Sequence, residues 1–157
     1  MWTIVNDFHI EKIRLPVVVV TTAGERLAGD LFAQANPRLP SGHEDVPDLL
    51  NGPEPYFPLG TAGRRTLLCA KSRVREVHFT IDAVDVTAWT LGTPVSVCVG
   101  LDDGSTVAGT LLVEVDAAGQ RVLDFLNRFP NRFLPVHTSS DVVLINRDHI
   151  VHVEQVS

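Results

Sequence analysis

Val17-Val18-Val19-Val20-Thr21-Thr22-Ala23-Gly24-Glu25-Arg26-Leu27-Ala28-Gly29-Asp30-Leu31 is answered later in the chain by Val97-Cys98-Val99-Gly100-Leu101-Asp102-Asp103-Gly104-Ser105-Thr106-Val107-Ala108-Gly109-Thr110-Leu111. In each stretch a β-rich apolar run meets a turn and resumes as a second run, the pattern of a β-hairpin. Gly24 and Gly104 take the turns. Gly29 and Gly109 fall inside the second strands, where a missing side chain marks a bend or a close backbone approach. Both glycine pairs stand 80 residues apart.

The repeat continues beyond the hairpin. Asp48-Leu49-Leu50-Asn51 matches Asp124-Phe125-Leu126-Asn127, Phe57 matches Phe133, and Leu67-Leu68-Cys69-Ala70-Lys71 matches Val143-Leu144-Ile145-Asn146-Arg147, all 76 residues apart. The change of offset falls on Asn36 to Asp45, a polar stretch with Pro and Gly, so the first copy carries a longer surface loop. An insertion confined to a loop marks a duplication. The expected organisation is a first unit over residues 1–80 with an N-terminal extension, a connector over 81–93 and a second unit over 94–157. In the second unit the alternation predicts strands near 95–101, 106–115, 120–126, 132–136, 141–145 and 149–155, with a turn over 126–131. In the connector, Val84, Val86, Trp89 and Leu91 are spaced between strand and helix.

The 157 residues, 45% hydrophobic and 20% charged, describe a globular chain with material for one sizeable core or two small ones. A net charge of −6 lacks the cationic surplus that non-specific nucleic-acid binding and anionic lipid headgroups draw on. Cys69 and Cys98 each sit in an apolar run, too few for a disulfide scaffold. No run approaches the roughly 18 apolar residues of a spanning helix, and Met1 to Asp7 lacks the pattern of a signal peptide. The expectation is a cytoplasmic protein without membrane contact.

Val99, Leu101, Asp103-Gly104, Gly109 and Leu111, followed by Val143-Leu144-Ile145-Asn146-Arg147-Asp148-His149-Ile150, resemble the two short motifs of Sm-like proteins. The resemblance covers both halves, more clearly the second. It implies an all-β chain of two tandem, duplicated five-stranded bent-sheet barrels of the Sm-like or SH3-like kind, and a habit of forming rings. The family's RNA pocket, by contrast, needs an aromatic or His and an Asn after strand two, and an Arg-Gly in a later loop. Here the loop reads Asp116-Ala117-Ala118-Gly119-Gln120, and the Arg-Gly positions hold Asn146-Arg147 and, in the first copy, Ala70-Lys71. Stacking on an aromatic contributes about 1–3 kcal/mol per base, so the uridine-type pocket is not expected to carry over.

Asp48, Asn51, Asp124 and Asn127 are the candidate repeated polar or contact site. The alternative is structural: each Asp accepting backbone hydrogen bonds at a strand end, each Asn taking a left-handed turn conformation, and Phe57 and Phe133 filling the core. Arg64, Arg65, Lys71, Arg73, Arg75 and Arg147 are the candidate nucleic-acid contacts, with Arg73 and Arg75 on one strand face as a narrow cationic stripe. The commoner use of such residues is a solvated edge that resists aggregation. His149 and His152, three apart, point to opposite faces of a strand and make no metal site. His137 and Ser139-Ser140-Asp141 read as a turn, since triad members meet by folding and not by adjacency. Trp2 and Trp89 stand outside the repeat, where a tryptophan seals a barrel end or anchors a partner.

These readings point to a non-enzymatic binding or assembly protein that needs no cofactor or metal. Its partner is expected to be a second copy or another protein. One strand edge pairs internally, others stay open to further copies, and a ring of six barrels from three chains is the expected closed form. RNA binding through a basic strand face is the alternative.

Overall fold

The computed structural model of the chain describes residues 12–39, 41–80, 92–113 and 122–156. The first copy supplies strands β1 (Lys12–Thr21), β2 (Arg26–Gln34), β3 (Tyr56–Thr61), β4 (Arg65–Ala70) and β5 (Val74–Thr80), with a short helix α1 (Val46–Leu50) between β2 and β3. The second supplies β6 (Thr93–Leu101), β7 (Thr106–Val113), helix α2 (Val122–Arg128), β8 (Phe133–His137), β9 (Asp141–Asn146) and β10 (Ile150–Gln155). A single 3-10 turn, Lys71–Arg73 or Arg147–His149, precedes the last strand of each copy. Trp2, Trp89, the 116–120 loop and most of the connector lie outside the described residues.

The fold is all-β, and the duplication reads directly from its strand order. Among the described residues, ten strands form one antiparallel sheet in the order β10-β6-β7-β8-β9-β5-β1-β2-β3-β4. Each copy contributes the same internal order, fifth-first-second-third-fourth. The expectation of two tandem barrels is corrected to this extent: hydrogen bonding closes neither half on itself, and the two halves join in one open sheet through the pairing of β5 with β9 of the other copy. The fourth strand of the second copy thus takes the outer side of the fifth strand of the first.

Local sequence explains the hairpins. Gly24 and Gly104 turn with φ of 85° and 88°, a left-handed conformation that glycine adopts without steric cost. In the second turn, the Asp103 carboxylate accepts from the Ser105 amide at 3.0 Å and from its hydroxyl at 2.6 Å. The internal glycines meet the predicted close approach. A Cβ on Gly29 would stand 2.5 Å from the Gly60 carbonyl oxygen, and one on Gly109 would stand 2.5 Å from that of His137. Only one residue pair links β2 to β3, Asp30 with Gly60, and only one links β7 to β8, Thr110 with His137. The sheet bends at both crossings.

One predicted strand is a helix. Of the segment expected as a strand over 120–126, the described residues 122–126 belong to α2, and the predicted turn at 126–131 begins inside it. Val122, Phe125, Leu126 and Phe129 recur at i, i+3, i+4 and i+7, so the helical period prevails over β propensity. In the first copy, α1 starts at Asp45, whose carboxylate accepts from the Asp48 amide at 2.9 Å while the Asp48 carboxylate accepts from the Asp45 amide at 3.5 Å. Pro47 in the first turn needs no amide bond there. The candidate Asp48 is therefore a helix-capping residue, not a strand-end one.

Two cores result, and they share strands. One gathers Val17, Val19, Leu31, Leu50 and Leu59 with Phe133, Val142 and Leu144 from the second copy. The other gathers Val97, Val99, Leu111, Leu134, Val136, Val143 and Ile145. Because side chains alternate along a strand, β9 sends Val142 and Leu144 to the first core and Val143 and Ile145 to the second.

The crossings give two expected outcomes. Gly29→Ala and Gly109→Ala each lower the unfolding free energy by about 1–3 kcal/mol in urea titrations, because the new methyl meets backbone oxygen. Half-burial of His137 pushes its imidazole below the ordinary 6.5. Between that lowered value and 6.5 the unfolded chain binds a proton that the folded chain does not, so this contribution to stability rises with pH through the window and is lost on acidification. In His137→Gln, the acid limb of a melting-temperature profile is flatter.

Candidate functional site

Most of the chemically distinctive residues converge on the seam between β5 and β9. Five residue pairs make the ladder, from Glu76 opposite Ile145 to Thr80 opposite Asp141. Around it, side chains from each copy bind main-chain groups of the other. Asn51, at the C-terminal end of α1, accepts the Phe133 N–H on Oδ1 at 2.9 Å and donates from Nδ2 to the Phe133 carbonyl at 3.4 Å. Its φ of −91° is not left-handed, so the turn role expected for it does not apply. It is a contact between copies.

Asn146 reaches in the opposite direction. It is fully buried and donates from Nδ2 to the carbonyls of Lys71 at 3.2 Å and Val74 at 2.9 Å, while its Oδ1 accepts the Asp148 amide at 3.1 Å. The first copy has Ala70 at this position. That departure from the repeat is the sequence signal that a seam function was present.

Charge also crosses the seam. Arg75 is buried and places Nη1 2.8 Å from the Asp103 carboxylate in the β6–β7 turn. Asp103 titrates below its ordinary range because the Ser105 hydroxyl and amide donate to it, with the Arg75 charge adding to the effect. His149 lies between the Asp102 carboxylate, 2.6 Å from Nδ1, and the Ser72 carbonyl of the first copy, 3.3 Å from Nε2. Thr80 donates its hydroxyl to Asp141 at 3.0 Å. Beside them Glu76, also buried, faces His78 at 3.6 Å.

The candidate basic residues separate into two sets. Lys71 is almost wholly buried, with Nζ donating to the Gly52 carbonyl at 3.0 Å. Burial pushes its ammonium below the ordinary value, a shift that Glu54 opposes and Arg132 reinforces. Arg147 makes the matching contact in the second copy, Nη1 donating to the Phe129 carbonyl at 2.7 Å. With Arg75 committed to Asp103, the Arg73–Arg75 stripe is not displayed: Arg73 belongs to the 3-10 turn and is exposed, Arg75 is inside. Arg64 and Arg65 are exposed at the turn into β4.

Of the repeated polar set, Asp48 and Asn51 are joined through α1, while Asp124 in the first turn of α2 and Asn127 near its end are exposed. The two pairs occupy equivalent places but only Asn51 has a neighbouring copy within reach. A cavity of about 680 Å³ lies where β1 begins and β5 ends, lined by Leu15, Val17, Val46 and Phe79 with His43 and His78.

Asn51→Ala leaves the Phe133 amide and carbonyl without their side-chain partner. It is expected to cost about 1–3 kcal/mol in equilibrium unfolding and to speed hydrogen exchange at the Phe133 amide. Compared with protein-family models, with curated proteins and with solved structures, the chain matches none.

Proposed function

We propose that the chain is a non-enzymatic assembly module of two Sm-like units that adds copies of itself head to tail through its sheet edges. Among the described residues, β4 and β10 each pair on one side only. They are the fourth strand of the first copy and the fifth of the second, the same two kinds of strand that pair at the internal seam. Strands β4 and β9 stand 76 residues apart, as do β5 and β10, so the internal ladder carries over as a register. It sets His152 opposite Cys69, Val153 opposite Leu68, Glu154 opposite Leu67 and Val156 opposite Arg65 of the next chain.

The observation that carries this reading is a difference in burial between equivalent residues. Leu144 at the seam is 0% exposed, and its counterpart Leu68 on the open edge is 74% exposed. Leu67 and Val156 are exposed on the same two edges. Charge favours the pairing too: Arg65 and Glu154 fall diagonally on one face in this register, within reach of one another. Long apolar edges left open invite unspecific pairing, whereas a matched edge on a second copy gives them a defined partner. The contact is heterologous, so copies either close into a ring, with three chains supplying six units, or extend as a filament.

The seam between chains is weaker than the one within. Ala70 replaces Asn146, Val151 and Ala23 stand where Arg75 and Asp103 form their ion pair, and Val156 with Arg65 replaces Thr80 with Asp141. Assembly is accordingly reversible on dilution. Light scattering across a concentration series is expected to show about three times the 17.2 kDa chain mass at high concentration, falling on dilution. Leu68→Asp, at a solvent-facing position, keeps the circular dichroism of the wild type and stays single. Wild-type chains that remain single throughout would overturn the proposal.

A further inference from the structure

The seam holds more than a strand ladder, and its additional part exposes a second pair of matched surfaces. The repeat as aligned from sequence equates Phe57 with Phe133, but the strand registers say otherwise. In β3–β4, Tyr56 stands opposite Ala70, and in β8–β9, Phe133 stands opposite Asn146, while Ala70 and Asn146 are equivalent. The single bridges agree, since Asp30 and Thr110 are equivalent and their partners Gly60 and His137 are 77 apart. The counterpart of Phe133 is therefore Tyr56. Phe57 corresponds to Leu134, and Pro58 to Pro135, a coincidence of prolines that the 76-residue offset hides.

Phe133 and Tyr56 live in opposite surroundings. Phe133 is 0% exposed and belongs to the core of the first copy, with β8 packed against α1 and with Val46 and Leu50 of that helix buried. Tyr56 is 60% exposed. The helix that would receive it matches at four places, Val122, Asp124, Leu126 and Asn127 for Val46, Asp48, Leu50 and Asn51, and carries Phe125 for Leu49. On α2, however, no residue is fully buried, Leu123 is 65% exposed and Asn127 faces solvent.

We propose that α2 and Asn127 form a socket for Tyr56 of a second copy, the ring seating against Val122 and Leu126 while the Asn127 amide clamps the Tyr56 main chain. As Asn51 does at the seam, Asn127 accepts the N–H on Oδ1 and donates from Nδ2 to the carbonyl. The inference rests on the head-to-tail reading and agrees with its polarity. Socket and β10 belong to the same copy of one chain, plug and β4 to the same copy of the next, as α1 with β5 and Phe133 with β9 do internally. The ladder supplies adhesion that any matched edge would share. The clamp selects a neighbour whose main chain arrives at one position only.

Tyr56 is the only tyrosine, so 3-fluorotyrosine places one fluorine label in the full-length chain. Its resonance is expected to shift from a solvent-exposed position in dilute protein to a buried one in concentrated protein. Asn127→Ala and Tyr56→Ser are each expected to raise the concentration for half-dissociation at least tenfold, with the dilute chain melting as the wild type does, and Tyr56→Phe is expected to assemble normally. If Leu68→Asp abolishes assembly while Asn127→Ala and Tyr56→Ser leave it unchanged, the socket is wrong and the strand pairing stands. If wild-type chains never associate, both are wrong.

Discussion

The β5·β9 ladder is the contact on which the arrangement depends. An edge strand carries a row of amides and carbonyls that must find partners or water, and β5 finds them on the other copy. That choice converts two bent half-sheets into one sheet and makes β9 a shared wall. With Val142 and Leu144 turned to one core and Val143 and Ile145 to the other, each alternate residue stabilises a different copy. Burying such a side chain contributes about 1.5–3 kcal/mol, so the first core, which takes Phe133, Val142 and Leu144 from the second copy, is incomplete without the seam. Small domains lack interior volume, and sharing a strand supplies some of it.

The polar side chains at the seam follow from the same geometry. Where strands from two copies meet, the ends of helices and 3-10 turns come close, and their main-chain groups lose water. Asn51 and Asn146 satisfy them, one from each side. Arg75 lies too deep to remain unpaired, and Asp103 on the neighbouring turn provides the countercharge. The asymmetry between copies is informative, since Asn146, Arg75 and Asp103 occur only on the internal seam. Positions that serve a permanently covalent neighbour have diverged from those facing an open edge.

Several of these features were legible in sequence, and for identifiable reasons. The hairpins and the bends at Gly29 and Gly109 were readable because glycine needs a local reason to sit in a turn or a strand. The repeat located Asn51 and Asn127. It could not reveal that Asn51 reaches 82 residues along the chain to Phe133, because a side chain bonding to main-chain atoms leaves no mark on the residue it bonds. Residues 122–126 fit a strand as well as a helix in sequence, because a short apolar run satisfies both periods until its neighbours in space are known. Lys71 and Arg75 looked like surface cations because burial of a charge depends on partners far away in the chain, Gly52 and Asp103.

By itself the sequence determined the duplication, the all-β class, the turns and the identities of the repeated Asp and Asn, since these follow from local propensity, spacing and self-similarity. The tertiary structure decided which edges are covered and which are open, that Tyr56 and not Phe57 is the partner of Phe133 in the repeat, and that α1 has residues buried to completion beside the other copy while α2, packed against its own core, has none fully buried. The physical reason is that strand pairing is non-local. One residue of slip between copies exchanges the two faces of a strand, and only the register of the hydrogen-bonded ladder shows on which face each side chain falls.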